Sequence, residues 1–288
     1  MTKVIVNLSE LEKTLSSKKN IINFVPTMGS LHSGHGSLVK EAKRREGKTL
    51  VSIFVNPLQF SEIKDYENYP ENISRDIKFL ENLKVDYIFI PKKEEFLVDI
   101  TCKVYLGDIS NLLCGIDRRY HFEGVALIIM KFLIIINPDF ILLGQKDFQQ
   151  ILVIKKIIDD FSFKTKIISL KTFREKSGLA LSSRNIRLSN EQMEIAPLLF
   201  ISMKKIKKKI LQSELKFNSL EEIKVNLIKD GFEKINYLEI RKEKDLKIID
   251  GIPDFSRIFI SALLGKVRLI DNIRIGKVKL MDGYVLKS

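Results

Sequence analysis

The chain contains three histidines, and two of them fall in one short run, Pro26-Thr27-Met28-Gly29-Ser30-Leu31-His32-Ser33-Gly34-His35. This H-x-G-H string follows an apolar segment, Ile21 to Val25, that reads as a buried strand. After it, the glycines and the run Leu38 to Arg44 read as a turn entering a helix. Two imidazoles three residues apart share one side of a first helical turn. Backbone N–H groups and the helix dipole favour an anion there, so the chemistry indicated is that of phosphate, up to a nucleotide triphosphate. Zinc is the alternative for a histidine pair. The remaining soft ligands are His121, Cys102 and Cys114, with no C-x-x-C or H-x-x-x-H spacing, so no metal site is expected.

Four further groups of residues could complete such a site. In Val51-Ser52-Ile53-Phe54-Val55-Asn56-Pro57-Leu58-Gln59, a strand stops at Pro57 and leaves Asn56 and Gln59 as neutral donors and acceptors facing a cleft. In Arg118-Arg119-Tyr120-His121-Phe122-Glu123-Gly124, Arg118 is a candidate anion ligand and His121 reads as a structural residue ordering the loop. In Gly144-Gln145-Lys146-Asp147, a lysine at a helix start opposes the dipole, a cost that a bound phosphate offsets; Asp147 is suited to ribose hydroxyls, and Gln150 follows one turn later. In Arg174-Glu175-Lys176-Ser177-Gly178-Leu179-Ala180-Leu181-Ser182-Ser183-Arg184-Asn185, two hydroxyls and a guanidinium form a mobile anion clamp able to close over nucleotide.

The elements that must carry these groups follow from patterning. Apolar runs at Ile21–Val25, Leu50–Val55, Tyr87–Ile90, Phe140–Leu143 and Lys166–Leu170 alternate with helix-like stretches at Ser37–Arg45, Ser74–Leu83, Phe122–Ile136 and Lys146–Phe161. That alternation predicts a parallel sheet covered on both faces, with ligands beyond the C-terminal strand ends. After about Phe173 the pattern changes. A long helix is expected from Asn190 to Gln212, a second starting on a Ser219–Glu222 capping box, and strands at Lys234–Arg241, Arg257–Leu264 and Val267–Ile270. The expected fold class is α/β: a Rossmann-like parallel-sheet domain, residues 1–173, followed by a small α+β C-terminal lid domain, residues 174–288.

Bulk properties fit this picture. A chain of 288 residues, 45% hydrophobic and 30% charged, can bury a core without staples. Two cysteines give no disulfide framework, the N-terminus has no secretory pattern, and no apolar run spans a bilayer, so a cytoplasmic protein without membrane contact is expected. The net charge of +13 raises an RNA-binding reading. The lysines are dispersed, however, and the Lys204–Lys209 cluster reads as a solvated helix face, so no nucleic-acid partner is expected.

Taken together, P-T-M-G-x-L-H-x-G-H, V-S-I-F-V-N-P-x-Q-F, Tyr69-Pro70, H-F-x-G-V, P-D…G-x-K-D-x-Q-Q, R-E…G-L-A-x-S-S-R-N and Arg268-Leu269-Ile270-Asp271-Asn272 resemble, in order over nearly the whole chain, the pantoate–β-alanine ligase family of H-x-G-H nucleotidyltransferases. The resemblance implies ATP as a substrate with Mg²⁺, no bound organic cofactor, a homodimer, and a pantoyl-adenylate intermediate. It implies that Met28, Gly29, Ser30, Leu31, His32, Ser33, Gly34 and His35 hold ATP together with Gly144, Gln145, Lys146, Asp147, Phe173, Leu181, Ser182, Ser183 and Arg184. His35, as proton donor, acts with His32, Lys146 and Arg184 in catalysis, and Gln59, Gln150 and Asn56 meet pantoate or β-alanine. Glu71, Arg75, Gln145, Ser177 and Leu181 depart from common family residues, and Arg75 removes an acidic candidate for Mg²⁺. The competing classes are another H-x-G-H adenylyltransferase, a basic RNA-binding protein and a non-enzymatic scaffold.

Overall fold

A computed structural model describes residues 1–16, 20–98, 100–212, 214, 218–248 and 255–276. By backbone contacts the chain forms two compact units. The first takes Met1–Asn111, Arg118–Gln145 and Gln150–Lys171; the second takes Leu112–Asp117, Lys146–Gln149 and the described part of Thr172–Ser288.

The first unit is built on β1 (Lys3–Ile5), β2 (Ile22–Thr27), β3 (Lys48–Ile53), β4 (Tyr87–Phe89), β5 (Phe140–Gly144) and β6 (Lys166–Leu170). They form one sheet in the order β1-β4-β3-β2-β5-β6, and every pairing is parallel. Parallel strands buried on both faces need continuous apolar sequence, as Phe24, Val25, Leu50, Val51, Ile141 and Leu142 supply; all six have no exposed surface. On one face Leu38, Val39 and Ala42 of the helix Ser33–Arg44 pack with Leu80 of the helix Ile73–Asn82. Elsewhere in the unit, Phe54, Phe89, Phe96 and Phe132 stack edge to face or tilted. Asp86 ties β3 to β4 by accepting from Lys43 Nζ, Lys48 Nζ and Thr49 N, each at 3.0 Å. From β2 the chain crosses to β3 on one side, and β5 lies on the other, so the sheet's order reverses between β2 and β5. That reversal opens a crevice beyond their C-terminal ends.

The second unit carries an antiparallel sheet of β7 (Lys234–Lys242), β8 (Ser256–Leu264) and β9 (Val267–Arg274). Met203, Ile206 and Ile210 of the helix Leu198–Leu211 join Leu238, Ile258 and Ile260 in its core. Lys204, Lys205 and Lys208 between them are exposed, as a solvated face requires.

Three local expectations change. The single helix from Asn190 to Gln212 is two, Asn190–Ile195 and Leu198–Leu211, because Pro197 cannot donate within a continuous helix. The helix at Ser219 has Asn218 at its N-cap, so Ser219 is the first helical residue and not the cap of a capping box. The helix expected from Lys146 starts at Phe148, after a 3₁₀ turn Gln145–Asp147. The structure also adds a helix, Leu8–Ser16, and extends β9 to Arg274.

Candidate active site

β2 ends at Thr27, whose hydroxyl donates to the Ser52 carbonyl at 2.6 Å. The next turn runs through Gly29 (φ 76°) and Ser30 (φ 50°), both left-handed. Asp76, only 1% exposed, holds that turn: its two oxygens accept from Ser30 N at 2.7 Å and Leu31 N at 2.8 Å. A Cβ at position 29 would lie 3.0 Å from Asp76 Oδ2, which together with the positive φ explains the glycine.

The turn delivers His32 to the N-cap of the helix Ser33–Arg44, four residues earlier than the sequence pattern predicts. Serine or aspartate usually caps; here imidazoles do it. His32 Nδ1 accepts from Gly34 N at 3.1 Å, and His35 Nδ1 accepts from His32 N at 3.3 Å, forming a capping box. The two rings stack with centroids 4.1 Å apart. Both are half-buried.

β3 leads to Asn56, the N-cap of a 3₁₀ turn Pro57–Gln59. Asn56, expected to meet substrate, is engaged by its own neighbours in this structure. It is 2% exposed, its Oδ1 accepts from Leu58 N, and its Nδ2 donates to Gln59 Oε1 (3.1 Å) and to the Gly124 carbonyl (3.0 Å). Its amide is occupied in positioning Gln59. Gln59 Nε2 in turn donates to Met28 Sδ at 2.8 Å, joining the M-G-x-L-H and N-P-x-Q segments. The Gln59 carbonyl accepts from His121 Nδ1 (2.6 Å) and Arg118 (3.2 Å), so Arg118 and buried His121 order this turn. Gly124 is essential to the contact, because a Cβ there would sit 2.1 Å from the Leu58 carbonyl oxygen. Gly144 ends β5, Gln145 donates to Ser169 Oγ, and Gln150 is half-buried in the helix Phe148–Asp160.

The second unit organises the cationic groups. The Lys146 carbonyl accepts from Asn272 Nδ2 at 2.8 Å, and Asn272 Oδ1 accepts from Arg257 at 2.6 Å. Arg174 forms a bidentate pair with Asp271 at 2.5 and 2.8 Å and lies 3.8 Å from the Phe200 ring centroid. Burial pushes the Asp271 carboxyl up from the ordinary carboxylate range, with Arg174 offsetting part of the effect. The Arg174–Asn185 segment is a hydrogen-bonded hairpin: Glu175 N donates to Leu179 O, Leu181 N to Phe173 O, and Arg174 pairs with Ala180. Ser182 then caps a 3₁₀ turn, Ser183–Arg187, that carries Arg184. Lys146, Ser182, Asn185, Arg268 and Asp271 line one recess of this unit. Leu181, Ser183 and Arg184 are half-buried; Phe173 and Asp147 are exposed.

Sequence reasoning gave Asp76, Gly124 and Arg268 no site role. The signal for Gly124 was its place in H-F-x-G-V; Asp76 had none, since its partners lie more than 40 residues away. Among the described residues no cluster of three or more His, Cys, Asp or Glu side chains is placed to hold a metal, and Asp76 is buried with both oxygens engaged.

A parallel sheet whose order reverses beside a glycine turn, with an imidazole-capped helix at that point, defines a Rossmann-like enzyme built to receive an anion. The profile of the pantoate-beta-alanine ligase family matches residues 2–274. The chain is 38% identical over 271 residues to a pantothenate synthetase of Caldicellulosiruptor bescii, covering 93% of this chain and 96% of that one. Its fold matches the crystal structure of pantothenate synthetase from Thermus thermophilus with a TM-score of 0.90 at 32% identity, over 96% of this chain and all of that one. It also matches a pantoate-beta-alanine ligase from Francisella tularensis complexed with beta-gamma ATP and beta-alanine: TM-score 0.81, 36% identity, 96% and 98% covered. The chain belongs to the pantoate–β-alanine ligase family, and its activity is the joining of pantoate and β-alanine into pantothenate.

Proposed function

We propose that the ligation runs in two steps on ATP. The pantoate carboxylate attacks the α-phosphorus, forming pantoyl adenylate and expelling pyrophosphate. The β-alanine amine then attacks the acyl carbon, forming pantothenate and releasing AMP. The observation that carries this reading is the imidazole-capped helix at the sheet's reversal point, an anion-receiving terminus with two added polar rings. The beta-gamma ATP and beta-alanine in complex with the Francisella relative support it.

In this scheme Met28 to His35 and Gly144 to Asp147 hold ATP, with Phe173 at the adenine and Leu181 to Arg184 closing over the phosphates. Gln59 and Gln150 meet pantoate, and Asn56 acts by fixing Gln59. No protein nucleophile is required; the residues position reactants and stabilise charge on the transferring phosphoryl oxygens. Mg²⁺ would accompany the ATP and supply charge neutralisation at its phosphates. Residues 1–173 form the nucleotide and pantoate domain, and residues 174–288 the lid. We further propose a cytoplasmic homodimer, to be checked by light scattering coupled to gel filtration.

Mass spectrometry of a reaction with ATP and pantoate but no β-alanine tests the scheme. Pantoyl adenylate and pyrophosphate are expected in that mixture. Formation of ADP, or pyrophosphate release only when β-alanine is present, would refute it.

A further inference from the structure

We propose that His32 and His35 act as neutral hydrogen-bond donors through Nε2–H, their tautomer fixed by the backbone of the helix they cap. A backbone N–H can only donate. Gly34 N points at His32 Nδ1 (3.1 Å) and His32 N at His35 Nδ1 (3.3 Å), so both Nδ1 atoms present a lone pair. A neutral imidazole carries one N–H, which must then lie on Nε2 in each ring. His121 follows the same rule to the opposite result. Its Nδ1 lies 2.6 Å from the Gln59 carbonyl oxygen, which only accepts, so the proton is on Nδ1 and Nε2 receives Arg118 (3.2 Å).

The consequence is chemical. A second proton on His32 or His35 would have to occupy the atom at which a backbone N–H is aimed. It would replace a capping hydrogen bond with two opposed donors, and place a cation at the positive end of a helix. On this proposal neither ring delivers a proton, in contrast to the acid role that the family resemblance implies for His35. The adenylation step needs none: a carboxylate oxygen–phosphorus bond forms, the phosphorus–oxygen bond to pyrophosphate breaks, and the electron pair leaves with pyrophosphate. The rings stabilise that charge by donation and keep their protons. This donor role rests on the two-step reading above; the tautomers do not.

The test is a two-bond ¹H–¹⁵N correlation spectrum of the full chain labelled with ¹⁵N-histidine, without substrates, at about pH 8, above the ordinary imidazole range. Two rings are expected in the Nε2–H form and one in the Nδ1–H form, with His35→Gln and His121→Gln assigning the signals. An Nδ1–H or averaged pattern for His32 or His35 overturns the proposal. In turnover assays, glutamine places an amide N–H near the Nε2 position and asparagine near Nδ1. His35→Gln is expected to keep at least tenfold more kcat than His35→Asn or His35→Ala, and equal losses in all three overturn the donor role. Because the spectrum uses no substrate, it stands even if pantoyl adenylate is never found.

Discussion

Gly124→Ala offers the sharpest perturbation of the site, because it adds one methyl group and changes no charge. The new Cβ would lie 2.1 Å from the Leu58 carbonyl oxygen, 2.4 Å from its carbon and 2.8 Å from Gln59 N, all backbone atoms that no rotamer change can move. Restoring an ordinary contact of 3.4 Å requires the Pro57–Gln59 turn to retreat by more than 1 Å. Gln59 travels with the turn, stretching the Asn56 Nδ2 bond to the Gly124 carbonyl and the Gln59 contact with Met28. A misplacement of about 1 Å in a positioning group costs roughly 10²-fold in rate, or about 2.7 kcal/mol of barrier. Overpacking lowers stability by a further ~1–3 kcal/mol. Pyrophosphate release at varied pantoate gives kcat/KM, and urea unfolding gives the stability. A folded variant with kcat/KM within threefold of the parent would refute the reasoning.

Asp76→Ala leaves Ser30 N and Leu31 N without their acceptors and should destabilise the fold by about 3 kcal/mol in urea melts, while disordering the entry to His32; a change under 1 kcal/mol contradicts the anchor role. Burial opposes the Asp86 charge, but the Thr49 N–H and the ammonium groups of Lys48 and Lys43 outweigh it and hold the carboxyl below its ordinary 3.8. The stability this contributes is present above pH 3.8 and is lost as pH falls through the lowered folded value. Asp86→Asn should therefore cost ~1–2 kcal/mol at neutral pH, with the difference shrinking in acid melts below the ordinary carboxylate value. Asn56→Ala removes both the turn's cap and the partner of Gln59; kcat/KM for pantoate should drop about tenfold, and an unchanged value would return Asn56 to a passive role. Lys146→Ala should lower kcat roughly 10²–10³-fold in single-turnover adenylate formation, the loss expected for one charge-stabilising donor.

The strand–helix alternation of the first unit was legible because parallel strands leave long apolar runs and helices leave a periodic stripe, so strands such as Lys166–Leu170 emerge with their observed ends. The break at Pro197 is not in the sequence reading, because a pattern of apolar spacing alone passes over it. His32 as an N-cap was not legible either, since its role depends on ring geometry in place of the usual short oxygen side chain. Nor could any local pattern reveal that Asp76 grips Ser30, or that Asn56 turns inward to the Gly124 carbonyl. Those are tertiary contacts between segments 46 and 68 residues apart.

Asn272 reaches the Lys146 carbonyl across 126 residues of sequence, and its neighbour Asp271 clamps Arg174 across 97. During synthesis the entire six-stranded sheet leaves the ribosome before either bond exists. A nascent chain can thus acquire its larger scaffold early and still lack the amide that steadies its key lysine. On the role proposed for Lys146, a truncation that removes Asn272 takes away this support while leaving all six strands of the first sheet in the chain.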